Sequence, residues 1–420
     1  MKYLVILGDG MADHKLEELE NKTPLEFANK PNIDMLAGMG EVGLIKTVPD
    51  GMKPGSDIAN LAIMGYNPQQ YYSGRSPLEA VSIGINLKET DIAIRCNLVT
   101  ISKDESYENK IMIDYSAGEI STEEATELIN YLERELGSSA MKFYAGVSYR
   151  HCLVWDMGKM ELGCTPPHDI LDCKITNYLP SGNNSEILIE LHKKSYELLS
   201  NHPINIEREK KGLNPANSIW LWGEGKKPAL KNFKQVYGLR PSVISAVDLI
   251  KGIGICAGFS SIDVEGATGT VHTNFDGKTQ AVIDEFERGQ EFVYAHFEAP
   301  DECGHQNDLE NKIKSIEIID QKVVGPLYNY LKRTGDSFAI LILPDHPTPV
   351  KFRTHTSDPV PYIIYRHNEL SKTDKATVVN PNNESTLTTY KVTNYNEETA
   401  SKTGIFISDG YKIIERLIEK

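Results

Sequence analysis

The chain has 420 residues, of which 40% are hydrophobic and 25% charged. That is a soluble globular composition with cores large enough for two or three domains, so folding needs neither disulfides nor a structural metal. Its 44 Lys and Arg against 59 Asp and Glu leave a net charge of −15, which argues against a nucleic-acid partner but leaves room for small phosphorylated substrates held by a local group of cations.

The run 3–7, Tyr-Leu-Val-Ile-Leu before Gly8-Asp9-Gly10, reads as a strand buried on both faces of a parallel sheet, and is too short for a signal sequence. A helix follows over 31–39, then a Gly- and Pro-rich loop over 49–55, and Ser56 opens a helical stretch to 64. The texture then changes. A strand is expected over 92–101, a helix over 121–136 capped by Ser121 or Thr122 and ended by Gly137, strands over 143–154, a helix over 185–201, and strand plus loop over 214–227. Helix–strand alternation returns with a helix at 242–252, a strand at 292–297, a long helix at 311–331 and strands at 338–343 and 362–365. The polar stretch 371–401 reads as loop, before a last helix over 411–420.

This pattern predicts an α/β core, a mostly parallel sheet flanked by helices, built from 1–75 and 238–420, with a smaller α/β domain inserted at 76–237. No apolar run approaches the ~18 residues of a membrane span. Six scattered cysteines include no Cys-x-x-Cys pair. A cytoplasmic protein with reduced thiols and no membrane partner is expected.

Ligand-type side chains collect at predicted strand ends, where α/β sheets build their sites. Asp9 follows the first strand, Asp301 and His305 follow 292–297, Asp345 and His346 follow 338–343, and His355 lies nearby. The Asp-x-x-x-His spacing puts Asp301 and His305 on one side of a helical turn. Mixed carboxylates and imidazoles suit Mn²⁺ or Zn²⁺, and two such ions about 4 Å apart would clamp the oxygens of a transferring phosphoryl group. Read singly, each residue has an ordinary alternative as a turn, cap or loop residue. Ser56 has two compatible readings: a helix N-cap, or a nucleophile whose phosphate would sit on the free N–H groups of that helix.

The motifs Leu7-Gly-Asp-Gly-Met11, Pro54-Gly-Ser-Asp-Ile-Ala-Asn60, Gly74-Arg-Ser-Pro-Leu-Glu79, Arg95-Cys-Asn97, Ala299-Pro-Asp-Glu-Cys-Gly-His305, Pro344-Asp-His346, Arg353-Thr-His355 and Thr399-Ala-Ser-Lys-Thr-Gly404 run colinearly over nearly the whole chain. Together they resemble the alkaline phosphatase superfamily and, within it, the archaeal-type cofactor-independent phosphoglycerate mutases. The resemblance implies two divalent ions, with Mn²⁺ preferred and Zn²⁺, Co²⁺ or Mg²⁺ as alternatives. One would be held by Asp9, Ser56, Asp345 and His346, the other by Asp301, His305 and His355. It also implies that Ser56 carries the phosphoryl group between neighbouring hydroxyls of a phosphoglycerate, without bisphosphoglycerate. The inserted domain would grip the glycerate and close over the core.

Arg75, Arg95, Arg150, His151, Lys251 and Lys278 are candidates for that grip, since phosphate and carboxylate recognition needs cations at close quarters. Ser148-Tyr-Arg-His151 and Val271-His-Thr-Asn-Phe-Asp-Gly-Lys278 also resemble a subgroup proposed to be homoserine kinases. A metal-dependent phosphotransferase on such an acceptor is therefore the alternative reading. The motifs carry no sign of oligomeric state.

Overall fold

A computed structural model describes residues 1–103, 106–158, 162–368 and 392–419. The chain divides into two compact units, Met1–Tyr72 with Ala229–Lys420, and Ser73–Pro228.

The first unit is built on an eight-stranded sheet. Its strand order is Ser260–Ile262, Pro241–Ile244, Phe292–Phe297, Lys2–Gly8, Phe338–Leu343, Val360–His367, Glu41–Ile45 and Phe406–Ile407. The first five strands are mutually parallel. Val360–His367 runs antiparallel to both its neighbours, and Phe406–Ile407 pairs in parallel with Glu41–Ile45. Alternate residues of a strand face opposite sides. Leu4 and Ile6 join a core with Val282, Phe286, Ile316 and Leu327, whose helices cover that side. Tyr3, Val5 and Leu7 face the other way and are equally buried. On that side Phe233 stacks 4.7 Å from Phe292. Both faces are covered, which is why the central strands read as unbroken apolar runs.

Several elements differ from the sequence reading. Residues 242–252 were expected to be helical. Instead Pro241–Ile244 is a buried strand paired with Phe292–Phe297, and the helix is Asp248–Cys256. A run of four residues, Pro-Ser-Val-Ile, is too short for periodicity to separate strand from helix. The long helix expected at 311–331 is Leu309–Ile319, a π turn Asp320–Val324 and Gly325–Thr334. Pro326 lacks the N–H that an α-helix would need there, and the wider turn accommodates it. Within the stretch expected to be loop, Glu397–Lys402 is a helix whose first turn is capped by Asn396; residues 371–391 of that stretch lie outside the described residues. The helix Phe275–Glu287 was not anticipated.

The second unit carries a five-stranded antiparallel sheet of Met112–Asp114, Asp91–Ile101, Arg150–Asp156, Met141–Tyr144 and Ser218–Lys226. The helices Thr122–Leu136 and Ser185–Leu199 pack with it into one core. Ser121 caps the first helix by accepting from Glu124 N, and Gly137 closes it.

Candidate active site

Asp9, Asp301 and Asp345 all leave the carboxyl ends of adjacent parallel strands, Lys2–Gly8, Phe292–Phe297 and Phe338–Leu343. The chain turns sharply after Asp9 through Gly10, at φ 62°, and a Cβ there would lie 2.7 Å from Asp301 Cα. Only glycine meets both demands. Gly10 N donates to Asp345 Oδ1 at 3.2 Å.

Asp301 and His305 stand one turn apart on the helix Ala299–Gln306, which starts with Pro300 in its first turn. His305 Nε2 is 3.3 Å from Asp301 Oδ2, and His355 Nε2 is 3.4 Å from Asp301 Oδ1. Thr348 donates to the same Asp301 oxygen. Arg353 adopts a left-handed conformation, φ 55°, and its carbonyl lies 3.0 Å from His305 Nδ1. That contact places the proton on Nδ1 and leaves Nε2 as the ligand atom.

His346 Nε2 lies 3.3 Å from Asp345 Oδ2, 3.6 Å from Asp9 Oδ1 and 3.1 Å from Ser56 Oγ. Ser56 is the first residue of the helix Ser56–Ile63; the cap position belongs to Gly55. The cap reading of Ser56 is thus corrected: Gly55 holds the cap position, and the Ser56 hydroxyl faces His346.

Two groups of ligand atoms result, Asp9 with Asp345 and His346, and Asp301 with His346 and His355, each lying within 4.8 Å of one another. His346 belongs to both groups, whereas the sequence reading gave it to one. The donor set fits divalent cations. Asp9 Oδ1 is buried without a hydrogen-bond partner. Burial, with Asp345 and Asp301 close by, pushes the Asp9 carboxyl well above the usual range; a cation among these acids removes that cost. Burial also acts to raise Asp301, but hydrogen bonds from His305 and His355 outweigh it and hold this carboxyl well below the usual range.

Four supporting residues escaped the sequence reading. His296 Nε2 bonds Asp9 Oδ2 at 2.9 Å, and its Nδ1 lies 3.1 Å from Ser245 Oγ. Thr348 touches both Asp301 and His346 Nδ1. Lys312 Nζ, fully buried, donates to Asp13 Oδ2 and Thr348 O, each at 2.7 Å, tying the loop after Asp9 to the loop after Asp345. Asn60 Nδ2 reaches Asp345 Oδ2 at 2.9 Å. The signal for His296 was present, a histidine at the end of a buried apolar strand.

Of the six cationic candidates, Arg75, Arg95 and Arg150 come together in the second unit. Arg95 Nε pairs with Glu79 at 3.2 Å and stacks 4.4 Å from the Trp222 ring, and Arg75 reaches the same carboxylate at 4.0 Å. Burial lowers the Arg95 pKa, Glu79 opposes the shift, and Arg75 and Arg150 add to it. Three cations thus converge with one counter-charge. His168, overlooked in the sequence, sits 5.4 Å from Trp222 and 6.1 Å from Tyr115, within range of Arg95 and Arg75.

The other three candidates have partners of their own, although His151 also keeps a buried Nε2 without one. His151 is buried, its Nδ1 accepts from Gly146 N at 3.0 Å, and burial drops its pKa to about 3. Lys278 is buried beneath the site, donates to His296 O at 2.8 Å and is pulled to about 8 by burial. Lys251 pairs with Asp263 at 2.6 Å.

A doubly covered α/β sheet with carboxylates, imidazoles and a serine hydroxyl gathered at its strand ends defines an enzyme of the histidine–carboxylate metal-site class. The family model for 2,3-bisphosphoglycerate-independent phosphoglycerate mutase matches residues 37–205. A protein of that name from Methanothrix thermoacetophila is 49% identical over 87% of this chain and 90% of its own. A probable one from Geobacter sulfurreducens is 45% identical over the full length of both. The chain belongs to this family. Among solved structures, the PH0037 protein from Pyrococcus horikoshii matches 99% of this chain and 96% of its own, with a TM-score of 0.79 at 28% identity. The cofactor-independent phosphoglycerate mutase from Thermoplasma acidophilum shares the fold, with a TM-score of 0.65 over 100% and 99% of the two chains at 24% identity. The homoserine-type alternative is not favoured, since the relatives quoted are named mutases. Among the described residues, no helix is long and apolar enough to cross a membrane.

Proposed function

We propose that the chain interconverts 2-phosphoglycerate and 3-phosphoglycerate through a phosphoserine at Ser56, without bisphosphoglycerate. The observation that carries this reading is the place of Ser56 Oγ, 3.1 Å from His346 Nε2 at the start of a helix, beside the carboxylate–imidazole groups. Asp9, Ser56, Asp345 and His346 would hold one divalent ion, and Asp301, His305 and His355 a second. The ions, when bound, lower the serine hydroxyl pKa and neutralise charge on the phosphoryl oxygens. Three histidines among the ligands favour Mn²⁺ over Mg²⁺.

Ser56 Oγ forms the new bond to phosphorus as the phosphorus–oxygen bond to the glycerate breaks, and the serine proton ends on the released glycerate hydroxyl. The neighbouring hydroxyl then attacks the phosphoserine, the bond from phosphorus to Ser56 Oγ breaks, and the attacking hydroxyl's own proton passes to Ser56 Oγ. Free N–H groups in the first turn of Ser56–Ile63 favour the bound phosphate. Arg75, Arg95 and Arg150, with His168, would grip the carboxylate and the phosphoryl oxygens.

The test is a coupled assay of manganese-loaded protein with 3-phosphoglycerate, using enolase to report 2-phosphoglycerate. Turnover of ~10 s⁻¹ without bisphosphoglycerate is expected. No turnover in protein shown to hold two ions overturns the proposal.

A further inference from the structure

The amide of Asn60 is fully buried one helical turn beyond Ser56, on the same face of the helix. Its Nδ2 donates to Ser56 O and to Asp345 Oδ2, both at 2.9 Å, and its Oδ1 accepts from Tyr294 OH at 2.6 Å. A flipped amide would set its oxygen against two acceptors, so the hydrogen bonds leave only one orientation. Tyr294 is also fully buried, and its hydroxyl is what holds the amide from behind.

Tyr294 and His296 are two residues apart on the strand Phe292–Phe297 and so face the same side. His296 bonds Asp9, and Tyr294 through Asn60 bonds Asp345. One strand face therefore orients both carboxylates of the Asp9–Asp345–His346 group. Asn60 also reaches the turn that carries the serine. One of the three amide bonds goes to the ligand carboxylate and another to the backbone carbonyl of the nucleophile's own residue.

We infer that Asn60 is a positioning residue: it locks the Ser56 turn to the Asp345 carboxylate, and Tyr294 fixes the amide that does so. The inference rests on the reading of Ser56 as phosphoryl acceptor. Asp345 Oδ1 keeps its donors Gly10 N and His346 N when Asn60 is lost, but Oδ2 loses the amide. The carboxylate then keeps His346 as the neighbour of Oδ2 but loses the amide that ties it to the backbone of Ser56.

Asn60→Ala and Tyr294→Phe are compared with the unaltered protein in three measurements: kcat and KM for 3-phosphoglycerate, Mn²⁺ affinity of chelator-stripped protein by calorimetry, and the visible spectrum of cobalt-substituted protein. Asn60→Ala is expected to lose 10- to 100-fold in kcat and about tenfold in Mn²⁺ affinity at one site, with a changed cobalt spectrum and KM within about threefold, the usual scale for groups that orient metal ligands. Tyr294→Phe should move the same quantities in the same direction by less. An unchanged cobalt spectrum and metal affinity overturn the inference, whatever the activity. Should Asn60→Ala not fold, Tyr294→Phe, which removes a single oxygen, decides alone. The metal measurements involve no turnover, so they judge Asn60 even if Ser56 proves not to carry the phosphoryl group.

Discussion

The Nε2 atoms of His305 and His355 lie 2.8 Å apart, with Asp301 oxygens 3.3 and 3.4 Å from them. Two imidazole nitrogens this close are joined either by a hydrogen bond, one ring's N–H donating to the other's lone pair, or by a metal ion that both ligate. In metal-free protein the hydrogen bond to Asp301 pushes His305 up to about 9. The proton is then bound below that pH, and a metal ion must displace it. Mn²⁺ affinity measured by calorimetry should therefore strengthen by up to tenfold per pH unit below about 9 and level off above it. The raised pKa also means that His305 stabilises metal-free protein fully below its unfolded value of about 6.5, and that this contribution is lost as pH rises through 9. An affinity independent of pH between 7 and 9 would show that His305 is not a ligand.

Ser56→Ala should abolish turnover while leaving the melting temperature within a few degrees and binding of at least one ion intact, because Gly55 and not Ser56 holds the cap position of the helix. Mass spectrometry of acid-quenched reaction mixtures should find a phosphoserine at position 56 in the unaltered protein and none in the variant. Normal turnover in Ser56→Ala removes Ser56 as nucleophile.

Chelation should inactivate the enzyme, and Mn²⁺ should restore it better than Mg²⁺. His346→Ala should weaken mainly the ion held with Asp9 and Asp345, whereas His305→Ala should weaken mainly the ion held with Asp301 and His355. Calorimetric stoichiometry separates these outcomes. Full activity after exhaustive chelation would remove the metal mechanism.

Acid should destabilise the second unit through His192. This side chain is fully buried, accepts from Leu221 N at 2.9 Å and stacks 5.0 Å from Trp220. Burial lowers its pKa to about 3. A depressed folded pKa gives stability that is present above the unfolded value of about 6.5 and lost as pH falls toward 3. Chemical denaturation between pH 6 and 4 should show a slope shallower by up to about 1.4 kcal/mol per pH unit in His192→Gln than in the unaltered protein. Equal slopes would mean that His192 takes up its proton alike in the folded and unfolded states.

Arg150→Ala should raise KM for 3-phosphoglycerate about tenfold with kcat within about threefold, the pattern of lost uniform binding. Arg150 is exposed, so the variant should fold normally. His151→Gln, by contrast, should act on stability, because His151 is buried and bonded to Gly146 N. An unchanged KM in Arg150→Ala would take this arginine out of the grip.

Much of the site was legible because ligand type is a property of single residues and of short spacings. Asp301 and His305 are one helical turn apart whatever surrounds them, and an apolar run that ends in Gly-Asp-Gly or Asp-His reads as a strand that delivers a carboxylate. The parallel core strands were readable for the same reason, since burial on both faces makes them uniformly apolar. Tertiary structure alone decided which ligand-type groups lie together, that Gly55 and not Ser56 holds the cap position, and that Lys278 and His151 are buried while Arg75, Arg95 and Arg150 converge. It also decided the supports: His296 on Asp9, Thr348 on Asp301, and Tyr294 through Asn60 on Asp345. Those contacts join segments up to hundreds of residues apart, Asp9 to His296 and Asn60 to Asp345 among them. Burial and orientation are set by packing between such segments, and no local pattern of residue types records it.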